Sequence, residues 1–316
     1  MGGCCCKRRE KEDCAEINRL LPVEILQRVF KLLPKKDLKT VVQVCKRWRE
    51  VGDTPILWDW LRFPTVNQDN LFVISELLQN STRFRGIQAL AVRSVSDELL
   101  LAVSQHKSLW RLDIASTNLT SVDSTVLARA ICQMEIVDLG RSLFSSAQAD
   151  AIFRNLAKGS NVKIISFFNT NLSTVNPQLL AQGITQINQI TLWSSRLNTK
   201  QSEAIFGALE TPGKLRILDL SYNNLSTIKP TLLAATVNSL VSVDLGRTSL
   251  SGDQVNAILS QAMVATSLTS LWISGVKGEV NREAVVKTAK IIPELRVQQH
   301  QLRVQQHQWR MQHPQI

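Results

Sequence analysis

The sequence predicts an α/β chain in which a small all-α module of three helices precedes a solenoid of short parallel strands and return helices. Three observations carry that expectation. Residues 20–61 hold apolar residues at three- and four-residue steps broken by prolines, which is the period of short helices. From residue 87 onward, units begin at 87, 109, 134, 162, 187, 215, 240 and 268, each with apolar residues at its first, fourth, sixth and usually eleventh positions. Their spacing after the first alternates between 25 and 28, so the true period is a pair of 53 residues. Residues 162–214 align with 215–267 without a gap at 14 identities, and the segment DLGR at Asp138 returns at Asp244.

The elements follow in order. Pro22 suits the first turn of a helix, where its missing N–H costs nothing. Ile25, Leu26, Val29, Phe30 and Leu33 then form one apolar face, and Pro34 ends the helix. Asp37 is an N-cap candidate for a second helix with Leu38, Val41, Val42 and Val44. A third helix with Trp48 and Val51 runs to Gly52. Three helices in about 40 residues make a core too small to stand alone. The apolar surplus points to a partner helix surface.

These residues resemble the F-box. Leu21-Pro22, Glu24-Ile25, Leu33-Pro34, Asp37-Leu38, Val44-Cys45, Arg47-Trp48 and Leu57-Trp58 match the family pattern in order. The resemblance implies docking on a Skp-type adaptor, and through it on a cullin scaffold in an SCF-type ubiquitin ligase. It names Leu21, Pro22, Ile25, Leu26, Phe30, Leu33, Leu38 and Val44 as contact candidates, with Trp48 holding the helices together.

The later units read as strand, turn and helix. The clearest strand is LRILDLSYNNL from Leu215; TVLARAI, AQADAIFRNLA, QSEAIFGAL and DQVNAILSQA have helical spacing. One such unit cannot bury its apolar face, so stacked units share a core. The array resembles the leucine-rich repeats, closest to the ribonuclease-inhibitor-like type, which implies a leucine-rich-repeat horseshoe with strands concave and helices convex. Asn holds the ninth place only at Asn223, so the other units are expected to turn less regularly. Asp97 and Gly278 interrupt the closing apolar position of the first and last units, which reads as capping.

Strand side chains alternate, so the third, fifth, seventh and eighth positions should face the concavity. Aspartate recurs at the fifth place, at Asp113, Asp138, Asp219 and Asp244. Phe168, Trp193 and Tyr222 form an aromatic band over the fourth to sixth units, flanked by Arg141 and Arg247, with Trp272 farther on. Aromatics beside arginine and aspartate have the composition of a binding hot spot. The candidate substrate-binding residues are Arg141, Phe168, Trp193, Asp219, Tyr222, Arg247 and Trp272.

Composition excludes several classes. The formal net charge of +11 is diffuse, and residues 1–16 cancel internally, so no nucleic-acid groove is expected. There is neither an apolar run long enough for a transmembrane helix nor the apolar stretch of a secretory signal. Six cysteines at 4, 5, 6, 14, 45 and 132 form no disulfide framework, which places the chain in a reducing compartment. Asn118, Asn171 and Asn224 head glycosylation tripeptides that such a compartment leaves unused. His106 reads as a solvated loop residue and Cys132 as a buried, inert thiol. With no phosphate loop and no Cys or His cluster of metal spacing, neither an enzyme nor a cofactor is expected.

The N-terminus, MGGCCCKRR, offers Gly2 for myristoylation and Cys4, Cys5 and Cys6 for palmitoylation, although the usual Ser or Thr at position 6 is replaced by Cys6. One acyl chain binds membrane marginally; two signals and basic neighbours would hold it. The expected divisions are a flexible N-terminus at 1–16, the F-box at 17–62, a linker and cap at 63–86, about eight repeats at 87–293, and a disordered Gln/His-rich tail at 294–316. The expected function is substrate recognition for an SCF-type ubiquitin ligase, in the cytoplasm or on the cytoplasmic face of a membrane. The alternative is a membrane-tethered leucine-rich-repeat binding or inhibitor protein acting outside ubiquitin transfer.

Overall fold

A computed structural model describes residues 20–33, 35–58, 60–63, 71–72, 74–75, 78–79, 87–211 and 213–298. The lipidation candidates Gly2, Cys4, Cys5 and Cys6, and the chain after 298, lie outside the described residues.

The helical module comprises α1 (Val23–Leu32), α2 (Lys35–Val41) and α3 (Lys46–Gly52), then a short 3-10 turn at Pro55–Leu57. Pro22 is the N-cap of α1. Asp37 lies inside the first turn of α2 and does not cap it. Cys45 caps α3, its Sγ accepting from the Trp48 N–H at 3.4 Å. Phe30 and Trp48 pack edge to face at 5.3 Å, the contact that joins α1 to α3. The Trp58 indole N–H donates to the Gly52 carbonyl at 2.7 Å, and the Arg47 guanidinium donates to the Leu21 carbonyl.

Among the described residues ten strands form one open, all-parallel sheet in chain order. They are β1 (Trp60–Phe63), β2 (Ala89–Val92), β3 (Arg111–Asp113), β4 (Ile136–Asp138), β5 (Ile164–Ser166), β6 (Gln189–Thr191), β7 (Ile217–Asp219), β8 (Ser242–Gly246), β9 (Ser270–Ser274) and β10 (Glu294–Gln298). The helices between them are α4 (Asp97–Gln105), α5 (Ser124–Gln133), α6 (Ser146–Lys158), α7 (Pro177–Ile184), α8 (Thr199–Leu209), α9 (Pro230–Thr236), α10 (Gly252–Ala262) and α11 (Arg282–Ala289). Strands stack about 4.8 Å apart, whereas neighbouring helices need about 10 Å. Strands therefore take the inner side of the stack and helices the outer.

Both ends extend the expected array. Trp60–Phe63, at the end of the helical module, pairs with Ala89–Val92. Glu294–Gln298 pairs with Ser270–Ser274, so the tail does not begin at 294: its first five residues are a strand. Leu71, Ile74 and Leu78, at helical spacing, are buried and belong to the hydrophobic core.

The turns are regular despite the scarcity of asparagine. The eighth position of every unit from the second onward is left-handed: Ser116, Arg141, Asn169, Ser194, Tyr222 and Arg247, with φ between 51° and 60°, and Gly275 at 69°. Behind it, the ninth-position side chain is buried and donates to main-chain carbonyls: Ser142 to Ile114 at 2.8 Å, Thr170 to Leu139 at 3.2 Å, Ser195 to Phe167 at 2.9 Å and Asn223 to Leu192 at 2.7 Å. A hydroxyl does there what the Asn amide does.

A second device recurs every 53 residues. Gln148, Gln201 and Gln254 are buried, and each closes a capping box at the start of its helix. Each amide also donates to at least two carbonyls of the preceding unit. For Gln201 these are Leu172 at 2.7 Å and Val175 at 2.8 Å.

Candidate docking sites

Helix α1 is apolar on two sides. Leu26 and Phe30 turn inward and are 2% and 1% exposed. Ile25, Val29 and Leu32 lie at i, i+4 and i+7 on the other side, exposed to solvent, with Leu20, Val23 and Val44 also exposed. This divides the eight candidate contacts. Pro22, Ile25 and Val44 are open to a partner. Leu21 and Leu33 are half-buried against the core. Leu26, Phe30 and Leu38 are corrected: they fill the module's own interior and present no surface to dock on. Leu20, Val23, Val29 and Leu32 are the further apolar side chains that this side exposes. The doublets Ile25-Leu26, Val29-Phe30 and Leu32-Leu33 held this signal, since adjacent apolar pairs each turn widen a stripe beyond one face.

On the strand face all seven candidates are present and largely continuous. Phe168 and Trp193 stand 6.2 Å apart, and Trp193 meets Tyr222 edge to face at 5.2 Å. Arg141 covers the Phe168 ring at 5.2 Å and Arg247 the Tyr222 ring at 5.2 Å, so a guanidinium closes each end of the aromatic row. Trp272 stands beyond the row, covered at 4.5 Å by Arg296 of β10. The strand register sets Asp219 opposite Asp244 and Asp244 opposite Trp272.

The aspartates first serve the turns. Each accepts from the N–H two residues on: Asp113 from Ala115 at 3.1 Å, Asp138 from Gly140 at 2.9 Å, Asp219 from Ser221 at 2.9 Å and Asp244 from Gly246 at 2.8 Å. Asp219 thus commits one carboxylate oxygen, which also accepts from the Ser221 hydroxyl at 2.5 Å. The other carboxylate oxygen takes no part in the turn. Asp113 is further paired with Arg93 at 2.7 Å. Burial pushes the Asp244 carboxyl above its ordinary value, against the Gly246 N–H, and the Asp219 carboxylate beside it pushes the same way.

A cavity of about 350 Å³ opens on this face between Trp193, Tyr222, Gly246, Arg247, Trp272, Ser274 and Arg296. Among the described residues no group of His, Cys, Asp or Glu could hold a metal ion, and no helix is long and apolar enough to cross a membrane. His106 is half-buried as the C-cap of α4, less solvated than a loop residue. Burial pushes the Cys132 thiol up to about 11.

The family model described as F-box-like matches residues 19–64, and that described as Leucine Rich Repeat matches residues 214–235. The first spans the three-helix module and β1; the second spans β7 and all but the last residue of α9. The chain joins an F-box-like domain to a leucine-rich-repeat solenoid. No curated protein matches it.

Proposed function

We propose that the protein is the substrate-recognition subunit of an SCF-type ubiquitin ligase. The outward apolar side of α1 docks a Skp-type adaptor, which carries a cullin scaffold, and the aromatic row on the strand face captures a protein substrate. The observation that carries this reading is the second apolar side of α1 inside the F-box-like segment. Its inward side already fills the module's core, and Ile25, Val29 and Leu32 are left exposed among the described residues. The chain itself does no chemistry in this reading. A conjugating enzyme elsewhere in the assembly transfers ubiquitin, and the receptor raises the effective concentration of substrate lysines near it. Acylation of Gly2 and of Cys4, Cys5 or Cys6 would hold the receptor on the cytoplasmic face of a membrane.

A pull-down of full-length protein with adaptor and cullin tests the first part. Wild type should retain both, and Ile25→Asp/Val29→Asp should lose both while remaining folded. Failure of wild type to bind adaptor would favour a leucine-rich-repeat binding protein outside ubiquitin transfer. For the second part, Trp193→Ala/Tyr222→Ala should lose substrate and keep adaptor. Substrate retained by that double variant would remove the strand face from the reading. Loss of fatty-acid labelling and membrane association in Gly2→Ala would support the anchor; retention of both would exclude myristoylation.

A further inference from the structure

The strand face contains its own comparison. Two periods separate Asp138-Leu139-Gly140-Arg141 from Asp244-Leu245-Gly246-Arg247, and the same shift sets Phe168 against Ser274. In the first copy the Phe168 ring lies directly on Gly140, where an added Cβ would come within 1.9 Å of it, and Arg141 covers the ring at 5.2 Å. In the second copy Gly246 and Arg247 are kept and the ring is gone. The nearest atoms to an added Cβ at Gly246 would be the Asp244 carboxylate at 3.0 Å, the Ser274 hydroxyl at 3.2 Å and Ser221 Cβ at 3.8 Å. Arg247 turns the other way, onto Tyr222. The open cavity beside Gly246 is the space this difference leaves.

We propose that the slot on Gly246, between Arg247, Trp272 and Ser274, takes a phenylalanine or tyrosine side chain of the captured segment. The incoming ring lies on the glycine as Phe168 lies on Gly140. This rests on the reading of the strand face as the capture surface. A lysine or arginine side chain fits less well. Asp219 and Asp244 each give one oxygen to a turn N–H. Arg247 and Arg296, on the same walls, form no ion pair among the described residues and repel a cation. A guanidinium instead attracts the face of an arriving ring.

The test uses full-length protein and pools of acetylated random peptides whose central residue is fixed as Phe, Tyr, Ala, Leu, Lys or Asp. Wild type should retain the Phe and Tyr pools about tenfold more than the Ala pool. Ser274→Phe, which supplies the missing ring from within, should bring them down to the Ala level while adaptor binding and circular dichroism stay unchanged. Ser274→Leu fills the slot with a smaller group and gives the same readout if the phenyl variant misfolds. Equal retention of all pools, a preference for Lys, or aromatic pools still held by folded Ser274 variants would each overturn the slot. If those variants keep the aromatic pools while Trp193→Ala/Tyr222→Ala loses them, the slot fails and the capture surface stands. If neither loses them, both fail.

Discussion

Replacing Gln201 with leucine tests how the solenoid is held together, and the structure sets the magnitude. The side chain is fully buried, and leucine fills much of its volume. What goes is a set of hydrogen bonds. The Val175 carbonyl loses the amide that donates to it at 2.8 Å. The Leu172 carbonyl loses one at 2.7 Å but keeps the Val175 N–H at 3.0 Å. The Asn198 N–H loses its acceptor at 3.0 Å, at an exposed residue where water can replace it. An orphaned buried carbonyl costs about 1–3 kcal/mol and a lost second bond about 1 kcal/mol, for a total of about 3 kcal/mol. For a domain of this size that is a fall in Tm of about 6–12 °C. The same carbonyl pattern surrounds Gln148 and Gln254. The three Leu variants should therefore fall alike in thermal melts followed by circular dichroism. Hydrogen exchange should quicken first in the turn that each glutamine supports. A loss under about 1 kcal/mol in all three would refute the reasoning and show that these carbonyls find another donor.

Other outcomes follow from single contacts. Phe30→Ala should destabilise the helical module by about 3–5 kcal/mol in denaturant titration, whereas Ile25→Asp should leave stability unchanged and remove adaptor. Gly140→Ala drives a methyl into the Phe168 ring and should cost about 1–3 kcal/mol; Phe168→Ala in the same chain should recover part of that loss. Asp244 holds its proton more tightly folded than unfolded, so its ionisation lowers stability as pH rises from the ordinary value of 3.8 through the raised one. Asp244→Asn should accordingly raise Tm at pH 7, and the gain should vanish below 3.8. With its thiol raised to about 11, Cys132 should resist iodoacetamide at pH 8 in native protein and react once urea is added.

The repeat architecture was legible because every unit states the same pattern. Leu215, Leu218, Leu220 and Leu225 mark one strand and turn, and seven other units echo them. The ends were harder to read. Trp60–Phe63 lies within the F-box resemblance, and Glu294–Gln298 runs into a Gln/His repeat, so neither looks like a repeat strand until its neighbour is placed beside it. The aromatic row was legible from alternation alone. Its relation to Gly140 was not, because a glycine 28 residues before Phe168 signals nothing until the two strands are in register. On α1 periodicity found the apolar residues but merged two sides into one. Separating Ile25 from Leu26 requires knowing where the core sits.

One hydrogen-bonded pairing ties the end of the helical module to the sheet. Because β1 belongs to the sheet, the helical module is not tethered to the solenoid by a free hinge at that point. From β1 to β8, which ends on Gly246, there are seven strand steps, about 34 Å along the stack. Strand count thus acts as a gauge between the outward side of α1 and the cavity at Gly246. Insertion of one further 53-residue pair would lengthen it by about 10 Å and leave both surfaces intact. In the proposed ligase, such an insertion would change which lysines of a captured protein come within reach without changing which protein is captured.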